Sequence, residues 1–184
     1  MNYLKIEKAS ISNGLGFRVV LFCAGCTQRC RGCFNPESWD FNAGKLFDEE
    51  AKAFLFEQLN KPYIKGLTIS GGHPLEAQNR DTILGLIAEI HLLFPDKDIW
   101  CYTGYTFEEI CTQFCNERFD SLDGGNTIKY TNWEWLEYID VLVDGPYIEE
   151  QRDITLPFRG SANQRLIDVK ETLKQGQIIQ YKIN

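Results

Sequence analysis

No apolar run in this chain approaches the roughly 18–20 residues of a membrane span, so a helical membrane protein is not expected. The opening Met1-Asn2-Tyr3-Leu4-Lys5 is polar and lacks the apolar core of a secretion signal, which makes the cytoplasm the expected location. Positive charge is scarce: 19 Lys and Arg stand against 26 Asp and Glu, for a net charge of −7. A surface that tracks phosphates needs clustered Lys and Arg, so nucleic acid is not an expected partner, and neither is a membrane. There is no internal repeat, low-complexity tract or break in composition. What remains, at 43% hydrophobic and 24% charged residues over 184 positions, is one globular domain spanning 1–184.

Cysteine, by contrast, is concentrated. Four of the seven fall within the eleven residues from Cys23 to Cys33, directly after the apolar run Val19-Val20-Leu21-Phe22. The spacing Cys26-x3-Cys30-x2-Cys33 puts three thiolates on one tight loop, enough for three corners of an iron–sulfur cube, because soft sulfur suits such clusters. A fourth iron would then stay open to a small molecule. Other readings use the same residues. Cys23 with Cys26 and Cys30 with Cys33 form two CxxC pairs suited to zinc, although a zinc ribbon usually separates its pairs by roughly 15–20 residues. Cys23 could instead be the fourth ligand of an electron-transfer cluster, and disulfides are a third alternative that a cytoplasmic setting opposes. Arg29 and Arg31 sit inside the loop, either as solvated charges or to offset the charge of a thiolate-bound cluster.

Along the chain, the pattern alternates strand and helix. Tyr3 to Ile11 reads as a short edge strand, and Asn13 to Gly16 as a turn. Arg18 to Cys23 is continuous enough for a strand buried on both faces of a parallel sheet. Trp39 and Phe41, in the irregular stretch that follows, read as core cover. Phe47 to Asn60 and Arg80 to Phe94 have helical stripes, with His91 at the flank of the second. Gly66 to Ser70, Asp98 to Tyr102 and Val141 to Val143 read as further strands, and Thr106 caps a third helix expected to run to Phe119. Cys101, Cys111 and Cys115 read as small buried hydrophobes. Asp120 to Thr131 reads as a loop and Trp133 to Ile139 as a short helix. Arg165 to Val169 and Gln177 to Tyr181 are expected as terminal strands around a turn at Lys174-Gln175-Gly176. Repeated strand–helix units demand a mostly parallel α/β sheet with right-handed crossovers, and the chain is too short for the roughly 250 residues of a closed eight-unit barrel. An open or partial barrel is the expected fold.

Motifs recur where these strands end: Ser70-Gly71-Gly72-x-Pro74-Leu75, Thr103-Gly104-Tyr105 and Asp144-Gly145. Together with Cys26-x3-Cys30-x2-Cys33-x-Asn35, they resemble the radical S-adenosylmethionine activating enzymes. Asn13-Gly14-x-Gly16-x-Arg18 carries the likeness further, and Arg159-Gly160-Ser161-x-Asn163-Gln164 narrows it to the family that activates anaerobic (class III) ribonucleotide reductase. The resemblance covers nearly the whole chain. It implies a 4Fe-4S cluster held by Cys26, Cys30 and Cys33, with Cys23 outside it. It also implies S-adenosylmethionine near Gly71, Gly72, His73 and Asn35, cleaved reductively to a 5′-deoxyadenosyl radical. The implied partners are the large reductase subunit, whose glycine would become a glycyl radical, and an electron donor such as flavodoxin or ferredoxin. Activation of another glycyl-radical enzyme, of the formate-lyase type, and a non-catalytic iron–sulfur or zinc module are the alternatives. One position departs from the pattern, because His73 stands where the family usually has an acidic residue.

Overall fold

A computed structural model describes residues 1–114 and 134–183. Cys115, the expected loop from Asp120 to Thr131, Trp133 and the expected helix end at Phe119 lie outside the described residues. The elements run β1 (Asn2–Ser10), β2 (Phe17–Cys23), β3 (Lys45–Leu46), α1 (Glu49–Leu59), β4 (Ile64–Gly71) and α2 (Ala77–Leu93). They continue with β5 (Asp98–Tyr102), α3 (Phe107–Phe114), α4 (Glu134–Glu137), β6 (Val141–Asp144), β7 (Arg165–Asp168) and α5 (Val169–Gln175).

The strands form one open seven-stranded sheet in the order β3-β1-β2-β4-β5-β6-β7. β2, β4, β5 and β6 are parallel, as expected for alternating strands and helices. Antiparallel strands flank them: β1 and β3 on one side, β7 on the other. The central strands are mostly apolar because both faces are covered, and Val19, Leu21, Leu67, Ile69 and Leu142 have no solvent exposure. Cys23, Gly71, Tyr102 and Asp144 end the four parallel strands on one edge of the sheet, where open α/β sheets place ligands.

Three expectations are corrected. The first strand is not the edge, because the two-residue β3 pairs outside it. Gln177 to Tyr181 is no strand but makes a single bridge, Gln180 to Ile167. A helix, α5, occupies the place of the expected turn. Its start signal is Asp168, whose carboxylate accepts from the Glu171 amide at 3.0 Å while the same residue ends β7. Gly176 closes that helix in the left-handed conformation at φ 66°. Cys101 is fully buried as expected, whereas Cys111 is only half-buried beside the core.

At the opposite end of the strands from the glycine motifs, a buried cation joins three of them. Arg18 on β2 has no solvent exposure and pairs with Asp98 on β5 at 2.5 Å. Its guanidinium also donates to Thr68 Oγ1 and to the Leu67 carbonyl on β4, both at 2.7 Å. Thr68 in turn donates to the Asn13 carbonyl at 2.8 Å, fastening the turn before β2. Gly14 is required there, since its φ is 138° and a Cβ would stand 2.8 Å from Arg18 Cδ. Burial lowers the Arg18 pKa and raises that of Asp98, so each charge depends on the other.

Removing one member of such a pair strands the other. Arg18→Ala is expected to destabilise the chain by about 3–5 kcal/mol. Urea unfolding monitored by tryptophan fluorescence measures this, and a cost below about 1 kcal/mol would show that the pair is not a structural anchor.

Candidate functional site

The cysteine loop leaves β2 already tied down. Ala24 N–H donates to the Asn2 carbonyl at 3.0 Å, Gly25 N–H to Ser38 at 2.7 Å, and Cys26 N–H to Trp39 at 3.2 Å. Gly25 has φ 93°, and a Cβ there would stand 2.1 Å from the Phe41 ring, so Phe41 covers the loop's base and only glycine fits. Beyond Cys26 the loop is exposed, and Arg29 takes a positive φ of 43°.

The four clustered cysteines separate into two environments. Cys26, Cys30 and Cys33 line one cavity of about 590 Å³ at the C-terminal edge of the sheet. Cys23 does not. It has no solvent exposure, its thiol donates to the Ser70 carbonyl at 2.9 Å, and burial pushes its pKa up to about 12. A neutral thiol already committed to a carbonyl is a poor metal ligand, because the thiolate is the ligating form. This geometry disfavours both readings that needed Cys23, the paired CxxC zinc site and the four-thiolate cluster. Cys23, Cys26, Cys30, Cys33 and Cys101 are free thiols, so no disulfide ties the cysteine loop. Three soft donors on one cavity wall suit an iron–sulfur cluster that leaves one iron without a protein thiolate.

The glycine pair, which lines the same cavity, is also part of the loop's fastening. Gly72 N–H donates to the Cys23 carbonyl at 2.7 Å and His73 N–H to the Gly25 carbonyl at 2.8 Å. A Cβ on Gly71 would stand 2.6 Å from the Cys23 oxygen, and one on Gly72 would stand 2.5 Å from the Gly25 oxygen. Both glycines are therefore demanded by the close approach of β4's end to the cysteine loop. Asn35 is likewise occupied locally: its N–H points at Cys33 Sγ at 3.4 Å, and its carbonyl accepts from Ser38.

His73 is buried at 1% exposure. Its Nε2 lies 2.8 Å from Thr103 Oγ1, its Nδ1 lies 3.4 Å from Glu76 Oε1, and Tyr105 packs against the ring with centroids 4.3 Å apart. Sequence reasoning missed Glu76. This buried carboxylate accepts from the Thr27 amide at 2.7 Å and from the Thr27 hydroxyl, clamping the loop one residue past Cys26. With the His73 contact first and the Thr27 bonds behind it, its pKa falls to about 2 against the burial that opposes ionisation. Asn79 was missed too, although its side chain donates to Ala24 O at 2.8 Å and His73 O at 3.1 Å. The only signal for either was a polar residue three or six positions after His73, at the start of a helix.

The Arg159 to Gln164 segment builds the opposite wall. Gln164 Oε1 accepts from the Gly160 amide at 2.9 Å, and its Nε2 donates to the Gly145 carbonyl at 3.1 Å. Asn163 donates to Pro146 O at 2.7 Å, and Ser161 bonds Asn163 at 2.7 Å. Asp144 receives the Phe107 amide at 2.8 Å and Arg165 Nε at 3.0 Å, which joins β6, α3 and β7. Arg31, at 84% side-chain exposure, pairs with Glu149 at 2.9 Å and so belongs to the solvated reading. Trp39 Nε1 and Arg159 Nε are buried donors without a hydrogen-bond partner among the described residues, and both residues line the cavity. The cavity thus combines three soft sulfur donors with a polar wall.

Comparison with known proteins adds to this geometry. A family described as a 4Fe-4S single cluster domain matches residues 12–167. The chain is 42% identical over 166 residues to the anaerobic ribonucleoside-triphosphate reductase-activating protein of Haemophilus influenzae, covering 89% of this chain and 96% of that one. It is 40% identical to the protein of the same name from Enterobacteria phage T4, covering 90% and 93%. To that of Escherichia coli K12 it is 35% identical, covering 89% and 96%.

Two substitutions test the loop's fastening. Gly72→Ala is expected to cost about 1–3 kcal/mol, because the methyl group meets backbone that cannot yield. Equilibrium unfolding reads that loss. Glu76 has its ordinary pKa near 4.5 when unfolded and about 2 when folded, so its stabilisation is complete above pH 4.5 and is lost as pH falls toward 2. The stability gap between the native chain and Glu76→Gln should therefore shrink across that window. A gap that stays constant from pH 6 to pH 2.5 would assign Glu76 no ionic role.

Proposed function

Since the chain belongs to the family of anaerobic ribonucleoside-triphosphate reductase-activating proteins, we propose that the cavity is the seat of that activation and that Cys26, Cys30 and Cys33 hold its 4Fe-4S cluster. The single observation that carries this assignment is the sorting of cysteines: three face the cavity, and the fourth is protonated inside the sheet. The chemistry such a cluster supplies is one electron for the reductive cleavage of S-adenosylmethionine to methionine and a 5′-deoxyadenosyl radical, which takes a hydrogen atom from a glycine Cα of the large reductase subunit to leave a glycyl radical. An electron carrier such as flavodoxin or ferredoxin provides the electron, and the reaction makes no deoxynucleotide itself.

The chain's own residues supply binding, orientation and shelter. Glu76, through Thr27, and the Ser38 and Trp39 carbonyls fix where the loop starts, so Cys26 is presented from a fixed root. The Asn35 amide directed at Cys33 Sγ is the kind of hydrogen bond that tunes a cluster's potential. The amides of Gly72 and His73 are spent on the loop, so this stretch offers S-adenosylmethionine carbonyl acceptors for its ammonium group. His73 does not replace the family's carboxylate as a direct contact, because its ring is turned into the Thr103 and Glu76 network. Trp39 and Arg159 contribute to the cavity wall. We read the open parallel sheet as the partial β/α barrel of the radical S-adenosylmethionine type and residues 1–184 as one activase domain.

The test uses protein purified and reconstituted without oxygen, then reduced with dithionite. Release of 5′-deoxyadenosine, with loss of both iron and product in Cys30→Ala, is the expected result. Cys23→Ala should retain its iron, since that thiol is no ligand. Loss of iron in Cys23→Ala with full iron in Cys30→Ala would reverse the assignment.

A further inference from the structure

Residues 153–160 form a short loop clasped at its base. Asp153 N–H donates to the Gly160 carbonyl at 3.2 Å, Ala162 N–H donates to the Gln151 carbonyl at 2.8 Å, and Arg152 pairs with Ser161 in an antiparallel bridge. Three apolar residues of this loop, Ile154, Leu156 and Phe158, line the cavity. Ile154 does so while 81% exposed. Phe34, one residue past Cys33, also lines the cavity and is 59% exposed. Its ring packs edge-on against Tyr147 at 5.2 Å, and a Cβ on Gly160 would stand 2.8 Å from it. The clasped loop and the cysteine loop therefore share one apolar rim.

That rim is exposed yet held rigidly. Phe158 takes φ 58°, a conformation that is costly for a bulky side chain and persists only where its surroundings enforce it. Two contacts enforce it. The hydroxyl of Tyr102, the last residue of β5, donates to the Phe158 carbonyl at 2.9 Å, and the Phe158 ring packs edge-on against Trp100 at 5.4 Å. Burial pushes the Tyr102 pKa up, so the phenol stays protonated and remains a donor. Trp100 is itself wedged by the Tyr181 ring at 5.4 Å and the Arg18 guanidinium at 5.2 Å. At the other end of the loop, the Asp153 carboxylate accepts from the Thr155 amide at 2.9 Å and its hydroxyl at 2.6 Å, a turn that brackets Ile154. An exposed apolar side chain on an immobilised turn is preorganised for a partner, because little freedom is left to lose on binding.

The chemistry of the occupants decides what the rim is for. S-adenosylmethionine brings an ammonium, a carboxylate and a sulfonium to the cavity, none of which gains from aliphatic side chains held in water. The atom that gives up hydrogen is a backbone Cα inside a second protein. Reacting atoms must come within about 3–3.5 Å, so the polypeptide on either side of that glycine has to cross the cavity's mouth. Aromatic and aliphatic anchors that lose their water at the centre of a contact are what such a polypeptide meets most strongly. We infer that Phe34, Ile154, Leu156 and Phe158 form the rim that receives the glycine-bearing segment of the large reductase subunit, with Tyr102 as the positioning residue that pins it through the Phe158 carbonyl. The inference rests on the activation reading above. Seating the segment covers the rim and excludes water from the cavity.

The experiment uses the full chain, reconstituted without oxygen, and measures its dissociation constant for the large reductase subunit by biolayer interferometry. Ile154→Ser, at a position too exposed to disturb the core, is expected to weaken binding about tenfold or more, as truncating an interface anchor does. Ile154→Val should recover most of that loss. Tyr102→Phe removes only the hydroxyl and should weaken binding about threefold or more. Iron content and the affinity for S-adenosylhomocysteine, read by calorimetry, should match the native chain in all three variants, a separation that a general loosening of the fold would not give. Native reductase affinity in Ile154→Ser or in Tyr102→Phe would overturn the inference. So would lost S-adenosylhomocysteine affinity with reductase binding intact, which would assign the rim to the cofactor. The glycyl-radical signal that the native chain raises on the reductase, read by electron paramagnetic resonance, tests the activation reading separately, so a failure of one is told from a failure of the other.

Discussion

Two main-chain hydrogen bonds hold the site together, from the amides of Gly72 and His73 to the carbonyls of Cys23 and Gly25. They extend the β2–β4 ladder past its last paired residues, Cys23 and Gly71, and turn the cysteine loop into a continuation of the sheet. The approach is close enough that neither Gly71 nor Gly72 can carry a side chain. Everything at the cavity inherits its position from this join. Cys26 follows directly, Asn79 braces it from the start of α2, and the Glu76 carboxylate reaches back to Thr27. A loop whose exposed half has little secondary structure thereby acquires a rigid root, as a site that must hold a reactive cofactor requires.

Charge is distributed with the same economy. The buried pair Arg18–Asp98 binds β2 and β5 at one end of the sheet, and Asp144 with Arg165 binds β6 and β7 at the other. Between them the central strands carry apolar groups, a few neutral hydroxyls such as Thr68, and two neutral thiols, Cys23 and Cys101, each pushed upward by burial. Ionised groups are thus kept to the sheet's ends. The middle of the sheet stays uncharged, and the polar residues that shape the cavity are each bonded to backbone from a neighbouring element.

Much of this was legible in the residues. The alternation of apolar runs and helical stripes gave the parallel centre, and the cysteine spacing marked three of the residues that line the cavity. What escaped notice was long-range or doubly used. Arg18 looks like an interruption of an apolar run, and its partner lies 80 residues away. Asp168 ends a strand and caps a helix, so the helix after it was taken for a turn. Gly71 and Gly72 were legible as places where backbone comes close without a Cβ, but the residues alone do not say that the neighbour met there is the cysteine loop. Glu76 carries no spacing signal at all. Its importance comes from facing Thr27 across 49 positions, which only the folded chain reveals.

The concealed thiol at the end of β2 has a consequence for how this protein fails and recovers in air. Oxidants attack thiolates, and sulfenic acids are captured most readily by a neighbouring thiol that can ionise. Cys23 lies only three positions from Cys26, the spacing at which a CxxC pair ordinarily closes into a disulfide. Buried, protonated and bonded to Ser70, it is withdrawn from that reaction. Damage is therefore confined to the cavity side of the loop, and the central sheet is spared the covalent distortion that a bridge to Cys23 would force upon it. An oxidant therefore meets the cavity-side thiols first, and the scaffold beneath them keeps its cysteine reduced.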